Sequence, residues 1–248
     1  MRIAFLDANT DRSAFAARHP GEADKFRTLL APTAPEMRLE DFRAVEGHFP
    51  ETLKGFDGVM ISGSPASIND TDAWITQLKQ LIRNAVGAGV PVFGACFGHQ
   101  AVAAALGGDV GANPQGWVLG RATTVNHSPA PWMVEAPERM ALHAAHSEQV
   151  LRAPHGAEIL GGTPECPVGH MALGGRVFST QYHPEITRDF MAELLDELTG
   201  KVPQAVLEDA RARLHGHVHS ADMARWITAF FASAESYSKA ASRSIAVT

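Results

Sequence analysis

The chain has 248 residues, a formal net charge of −6 and a hydrophobic content of 45%. This length suits one large α/β domain, alone or with an appendage, and the apolar content allows a sizeable core. The acidic balance and the lack of a basic block exclude nucleic acid and anionic membrane as expected partners. No apolar run reaches membrane-spanning length, and Met1-Arg2-Ile3-Ala4-Phe5-Leu6-Asp7 is too short in its apolar part for a signal peptide. A cytoplasmic protein is therefore expected. The two cysteines, Cys96 and Cys166, do not make a disulfide framework.

Ile3 to Asp7 reads as a buried parallel strand, Gly21 to Leu30 as a helix ended before Pro32, and Glu36 to Phe42 as a second strand. His48 to Phe56 is expected to lead by a short helical turn into a buried strand over Asp57 to Ser62. The small-residue turn Gly63-Ser64-Pro65-Ala66-Ser67 then exposes backbone N–H groups. From Ala73 to Ala88 the apolar positions Trp74, Ile75, Leu78, Leu81, Ile82 and Ala85 recur at helical spacing, and Val90 to Ala95 is the next strand. Strands alternating with helices predict a parallel sheet. After Gly107-Gly108 the helical period fades. Antiparallel strands and loops are expected around Trp117 to Val125, a strand then a loop over Met140 to Val150, and strands over Glu158 to Gly162, Val168 to Leu173 and Arg176 to Gln181. Gly174-Gly175 joins the last two as a hairpin. Helices are predicted over Ile186 to Leu198, Pro203 to Leu214 and Ala221 to Ala232, and Glu235 to Thr248 is expected to fray. The fold class is thus a three-layer α/β/α domain with a mostly parallel sheet, a small antiparallel sheet and C-terminal helices. Residues 1–200 form the domain, and residues 201–248 a helical extension packed on it.

The chemistry centres on Gly94-Ala95-Cys96-Phe97-Gly98-His99-Gln100. An apolar strand ends at Ala95, a thiol sits at the turn, and Ala101 to Leu106 is a good helix former. This is the nucleophile-elbow layout, G-x-S-x-G with sulfur in place of oxygen. It puts the thiol above the carboxyl ends of the strands, where open α/β sheets bind ligands, and at a helix N-terminus, which favours an anion. A thiol nucleophile needs a base and a group to orient that base. Gln181-Tyr182-His183-Pro184-Glu185 follows another apolar strand and offers both, with Pro184 restricting the turn between His183 and Glu185.

These motifs, together with Ile61-Ser62-Gly63-Ser64-Pro65, resemble the class I glutamine amidotransferases, the family that includes the glutaminase domain of GMP synthase. His146-Ser147-Glu148 resembles the loop that closes over glutamine. The resemblance covers about residues 1–200 and implies Cys96 as nucleophile, His183 as general base and acid, and Glu185 as the orienting carboxylate. It also implies an oxyanion hole from Gly63, Ser64 and the N–H of Phe97, and glutamine held by Gln100, His146 and Ser147. The reaction so implied cleaves the glutamine side-chain amide to glutamate and ammonia through a γ-glutamyl thioester, with no cofactor and with a synthetase partner as one destination for the ammonia. Hydrolysis of other γ-glutamyl peptides or amines by the same triad is the alternative, and a non-catalytic partner-binding protein is a third reading.

Two departures stand out. Ser64 occupies a position where the family commonly has glycine, and a left-handed backbone there would strain it. The chain also has no G-x-x-x-x-G-K-[ST] phosphate loop, which the synthetase part of GMP synthase carries. Other polar groups read more simply. Cys166 and His170 lack the second ligand pair a metal needs, and His215, His217 and His219 read as a solvated turn, so no metal is expected. Trp226, Ile227, Phe230 and Phe231 read as a core-packing helix face, while Trp117 fits either the pocket or the small sheet.

Overall fold

The computed structural model describes residues 1–245, with side chains through residue 233. The expected fraying over Glu235 to Thr248 falls outside the fully described residues. A nine-stranded sheet runs through the molecule in the order β2-β1-β3-β4-β11-β10-β9-β6-β7, formed by β1 (Arg2–Asp7), β2 (Arg38–Arg43), β3 (Gly58–Ile61), β4 (Val92–Ala95), β6 (Val118–Asn126), β7 (Arg139–His146), β9 (Glu158–Gly162), β10 (His170–Leu173) and β11 (Val177–Thr180). The five strands from β2 to β11 are parallel, and the remaining four continue the same sheet antiparallel. A separate two-stranded sheet pairs β5 (Asp109–Ala112) with β8 (Glu148–Arg152). The mostly parallel sheet and the small antiparallel sheet that the sequence predicts are both present, and the main sheet is extended by four antiparallel strands.

Both faces of the parallel half are covered, as its fully buried strands β3, β4 and β11 require. On one face, α2 (Ala73–Gly87) and α3 (Phe97–Ala105) pack Trp74, Leu78, Ile82, Phe97 and Ala101 against Leu6, Val59 and Ile61. On the other, α1 (Glu22–Leu30) and α6 (Ser220–Ile245) bring Phe26, Trp226, Ile227, Phe230 and Phe231 onto Ile3, Phe5, Phe93 and Phe178. The closeness of this packing shows at Gly58, where an added Cβ would lie 2.4 Å from the Phe231 ring. Trp226 and its neighbours are therefore core residues. A third cluster joins α4 (Arg188–Glu197) and α5 (Gln204–Arg213) to Leu119 of β6 through Met191, Leu195, Leu207 and Ala210.

Three expectations shift. The helical turn awaited between His48 and Phe56 lies earlier, a 3-10 turn over Ala44–Glu46 closed by Gly47 at φ 76°, and the stretch after it is irregular. Met140 to Val150 is two strands, because the chain bends at Ser147 and β8 pairs with β5 in the second sheet. The helix after Cys96 starts at Phe97 and not at Ala101. Its N-terminal glycine, Gly98, is unfavourable by propensity alone, but it packs so tightly on Ile61 that an added Cβ would lie 2.5 Å from the Ile61 carbonyl oxygen. Among the described residues no helix is long and apolar enough to cross a membrane.

Several histidines are buried and uncharged. His99, beneath the elbow helix, donates Nε2–H to the Val168 carbonyl at 2.9 Å and accepts at Nδ1 from the Ser179 hydroxyl at 2.8 Å. Burial pushes its pKa down to about 3, that of His170 to about 3 and that of His146 to about 4. The unfolded chain would protonate these rings near 6.5 and the folded chain does not. Their contribution is thus fully present above that pH and is lost as pH falls below it, by up to about 1.4 kcal/mol per pH unit for each ring. The urea midpoint should therefore fall measurably from pH 7.5 to pH 5.5; equal midpoints would show that these rings are charged in the native state.

Candidate active site

The elbow is a strained turn. Cys96 has φ 50° and ψ −107°, one of two non-glycine residues with positive φ among those described. Such a conformation costs on the order of 1–3 kcal/mol and persists only where the surroundings fix it. Here the Cys96 N–H donates to the Thr180 carbonyl of β11 at 2.8 Å, and the Gly98 N–H to the Ser62 carbonyl after β3 at 3.1 Å. Gly94 lies under the first turn of α3, where an added Cβ would meet the Gly98 carbonyl oxygen at 2.4 Å. The two glycines of the motif are thus set by close approach, and the strained angle falls on the cysteine itself.

His183 follows β11. Its N–H donates to the His143 carbonyl at 2.8 Å, and the His143 ring donates Nδ1–H to the Ile186 carbonyl at 2.8 Å, so β7 fastens both ends of the His183–Ile186 turn. His183 Nδ1–H donates to Glu185 Oε1 at 2.7 Å, and the ring is also hydrogen-bonded to the Cys96 thiol. Burial alone would lower the His183 pKa, but the Cys96 and Glu185 charges and their hydrogen bonds hold it well above the usual imidazole value. The Gln181 side chain approaches Cys96 Sγ at 3.7 Å. Cys166 is fully buried, and burial raises its thiol to about 12.

The first motif meets the same point. An added Cβ on Gly63 would lie 2.8 Å from His183 Cε1 and 3.6 Å from Cys96 Cβ. Ser64 is not in the left-handed region. Its hydroxyl instead accepts the Ala66 N–H at 3.1 Å and lies 3.4 Å from the Thr10 hydroxyl, so serine fits there without strain. Among the described residues the N–H groups of Gly63 and Ser64 donate to no backbone acceptor, and the N–H of Phe97, first in its helix, has no intrahelical partner.

Cys96, His183, Glu185, Gly63 and Ser64 line one cavity of about 470 Å³. A more open cleft of about 800 Å³ between residues 47–54 and α2 holds neither a cysteine nor a histidine. Gln100, His146 and Ser147 do not line the 470 Å³ cavity. Gln100 donates to the Glu148 carbonyl at 2.8 Å and to Gln181 at 3.3 Å, His146 donates to the Glu148 carbonyl at 3.0 Å, and the Ser147 carbonyl accepts from the Asn113 N–H. Together with the Ser67 hydroxyl on Glu148 Oε2 at 2.8 Å, these bonds form a network that reaches the elbow through Gln181. Trp117 lines the cavity and also packs on the α4–α5 cluster.

The cavity's outer wall was not anticipated from the sequence. It comes from the 7–21 loop, the start of α1 and the helix α4. A ladder of Asx turns shapes the loop, with the N–H groups of Asn9, Asp11 and Ser13 accepted by Asp7, Asn9 and Asp11. Glu22 is 7% exposed and takes hydrogen bonds from Asn9 at 3.0 Å and Lys25 at 2.8 Å; burial, only partly offset by Lys25, raises its pKa. The alternation Asp7, Asn9, Asp11, Ser13 was the one readable signal.

Among the described residues one group of three potential metal ligands assembles, His217, His219 and Asp222, with ligand atoms within 4.8 Å. His219 accepts the Ala141 N–H at Nδ1, which leaves its ring proton on Nε2, and Asp222 is paired with Arg225. The donor set is thus poorly prepared for an ion.

A family model for glutamine amidotransferase class-I matches residues 37–196. The chain belongs to this family. Gamma-glutamyl peptidase 3 of Arabidopsis thaliana is 31% identical over 205 residues, 79% of this chain and 82% of its own length. Gamma-glutamyl peptidase 4 of the same plant is 31% identical over 216 residues, 83% of this chain and 85% of its own length. The GMP synthase [glutamine-hydrolyzing] of Aeropyrum pernix is 34% identical over 154 residues, 59% of this chain but 28% of the larger protein. A glutamine amidotransferase structure from Thermotoga maritima superposes with a TM-score of 0.72 at 18% identity, covering 93% of this chain and 97% of that one, and shares its fold.

Two outcomes test the site's geometry. Iodoacetamide near neutral pH should modify Cys96 and leave Cys166 intact until the chain unfolds, as read by peptide mass spectrometry. Gly63→Ala should push the His183 ring off Cys96 and slow turnover about 10²-fold with an unchanged circular dichroism spectrum; full activity would mean that the ring has room the contacts deny it.

Proposed function

We propose that this chain hydrolyses γ-glutamyl amide bonds, with Cys96 as nucleophile, His183 as general base and acid, and Glu185 as the carboxylate that orients it. The observation carrying this reading is the hydrogen-bonded line from thiol to imidazole to carboxylate at one end of the cavity. An imidazole whose proton is held well above its usual pKa beside Cys96 and Glu185 supports His183 as the group that takes the thiol proton and later gives it up. The thiolate attacks the amide carbon, and the carbonyl electron pair moves onto oxygen. The N–H of Phe97 and those of Gly63 and Ser64 receive the oxyanion, each such donor being worth ~3 kcal/mol in a comparable site. As the oxyanion collapses the C–N bond breaks, and His183 gives its proton to the departing nitrogen. Water then loses a proton to His183 and attacks the thioester, releasing glutamate and restoring the thiolate.

Glutamine is the smallest substrate of this kind, and the kinship with GMP synthase supports transfer of its ammonia to a synthetase partner. The cavity of about 470 Å³ beside the triad favours a second reading, γ-glutamyl peptides or amines, since ammonia alone leaves such a space unused. Comparing kcat/KM for glutamine and a γ-glutamyl dipeptide, with the purified chain and no partner, decides between them. A hundredfold preference for the dipeptide supports the second reading. A preference for glutamine overturns it and returns the chain to the amidotransferase role.

Cys96→Ala should abolish turnover, and retention of activity would remove the thiol from the mechanism. The alkaline limb of kcat/KM reports loss of the His183 proton and should lie well above pH 6.5. Because Glu185 helps to raise that pKa, Glu185→Gln should move the limb to lower pH as well as reduce the rate. An unmoved limb would show that Glu185 does not act through the imidazole.

A further inference from the structure

We infer that the cavity next to His183 is a leaving-group subsite for an aromatic amine, so that the chain's preferred substrates are γ-glutamyl amides of amines bearing a flat apolar ring. This rests on the hydrolytic role of Cys96 and names the substrate class of the same site. The departing nitrogen must face His183, because that ring supplies its proton. The rest of the amine therefore continues from His183 into the cavity between the 7–21 loop and α4. Gln100 and His146 do not line this cavity, and their side chains are committed to the Glu148 carbonyl.

The cavity's surface is built for a ring. Phe15, His19 and Phe190 contact one another edge-on or tilted, with centroids 4.6, 5.3 and 4.7 Å apart, and all three line it. Lys25 Nζ sits 4.2 Å above the Phe190 ring while bound to Glu22. The buried charges at this wall are thus already satisfied by each other and ask for no counter-charge on the substrate. At this wall the lining is aromatic and apolar, with Trp117, Ile186 and Leu194 beside the three rings, while Asp7, Asp11, Arg12 and Arg43 line the cavity elsewhere; aromatic groups prefer such offset and edge-to-face neighbours.

The test compares L-γ-glutamyl benzylamide with L-γ-glutamyl methylamide. Both release primary alkylamines, so a difference reads the subsite rather than the intrinsic ease of C–N cleavage. The benzylamide should show a kcat/KM at least ~10-fold higher, a difference of about 1.4 kcal/mol. Phe15→Ala and Phe190→Ala should each shrink the ratio of the two substrates toward one, and Phe190→Tyr should keep it. Calorimetry on Cys96→Ala, which cannot turn over, should show tighter binding of the benzylamide, with the advantage lost when Phe15→Ala is added. Equal kcat/KM and equal binding for the two amides would overturn the inference, as would a preference that survives both alanine variants. If neither amide nor glutamine is hydrolysed, the proposed reaction fails, and the calorimetric comparison still decides whether the ring subsite exists.

Discussion

The backbone of Cys96, held at φ 50°, ties together the ends of three neighbouring strands. β11 takes its N–H, the chain leaving β3 takes that of Gly98, and β4 delivers the cysteine itself. The turn cannot relax without breaking these bonds or opening the contact between Gly94 and the first turn of α3. Because β3, β4 and β11 are adjacent and parallel, their carboxyl ends share one edge of the sheet. Three sequence motifs separated by many residues meet for that reason: the Gly63 turn after β3, Cys96 after β4 and His183 after β11. The strain at one residue is thus held by the regular part of the fold, which is where rigidity is cheapest to obtain.

Charge is distributed by the same geometry. His99, His170 and His183 are all deeply buried, yet only His183 favours its proton. At His99 and His170 desolvation is the leading cause and nothing of comparable size opposes it, so those rings act as neutral hydrogen-bonding struts. At His183 the same desolvation is outweighed by Cys96 on one nitrogen's side and Glu185 on the other. A carboxylate two residues away, across a proline, achieves this because His143 of β7 anchors the chain on both sides of it. His143 is itself kept neutral chiefly by burial, so it adds no competing positive charge beside the imidazolium.

The parallel half of the sheet was legible in the sequence because β1, β3 and β4 are apolar runs and the helices between them carry a clear apolar period. The antiparallel half was less so. Met140 to Val150 reads as one strand and a loop because nothing local announces that Glu148–Arg152 changes sheets to pair with Asp109–Ala112; that is a choice made by tertiary contacts. The start of α3 was misplaced for a related reason, since Gly98 weakens the helix locally while its contact with Ile61 demands glycine. At the site, Cys96, His183 and Glu185 could be named from motifs because each is bound to a strand end. Phe15, His19, Glu22 and Phe190 could not, because they come from three segments with no shared pattern and acquire a common purpose only in space.

That division has a physical consequence for specificity. The reacting groups stand on strand ends whose backbone bonds belong to the sheet, whereas the outer cavity wall stands on a loop held by short-range Asx turns and on one face of α4. Changing a side chain on the loop leaves the ladder between β4 and β11 untouched, and with it the angle at Cys96. Gln100 has no such freedom: it sits in α3 one turn from Cys96 and bonds to both the Glu148 carbonyl and Gln181, so a change there disturbs the elbow's own support. On the proposed reading, the side that can vary is the one that meets the amine, so one set of strand-end groups serves γ-glutamyl substrates that differ beyond the scissile nitrogen.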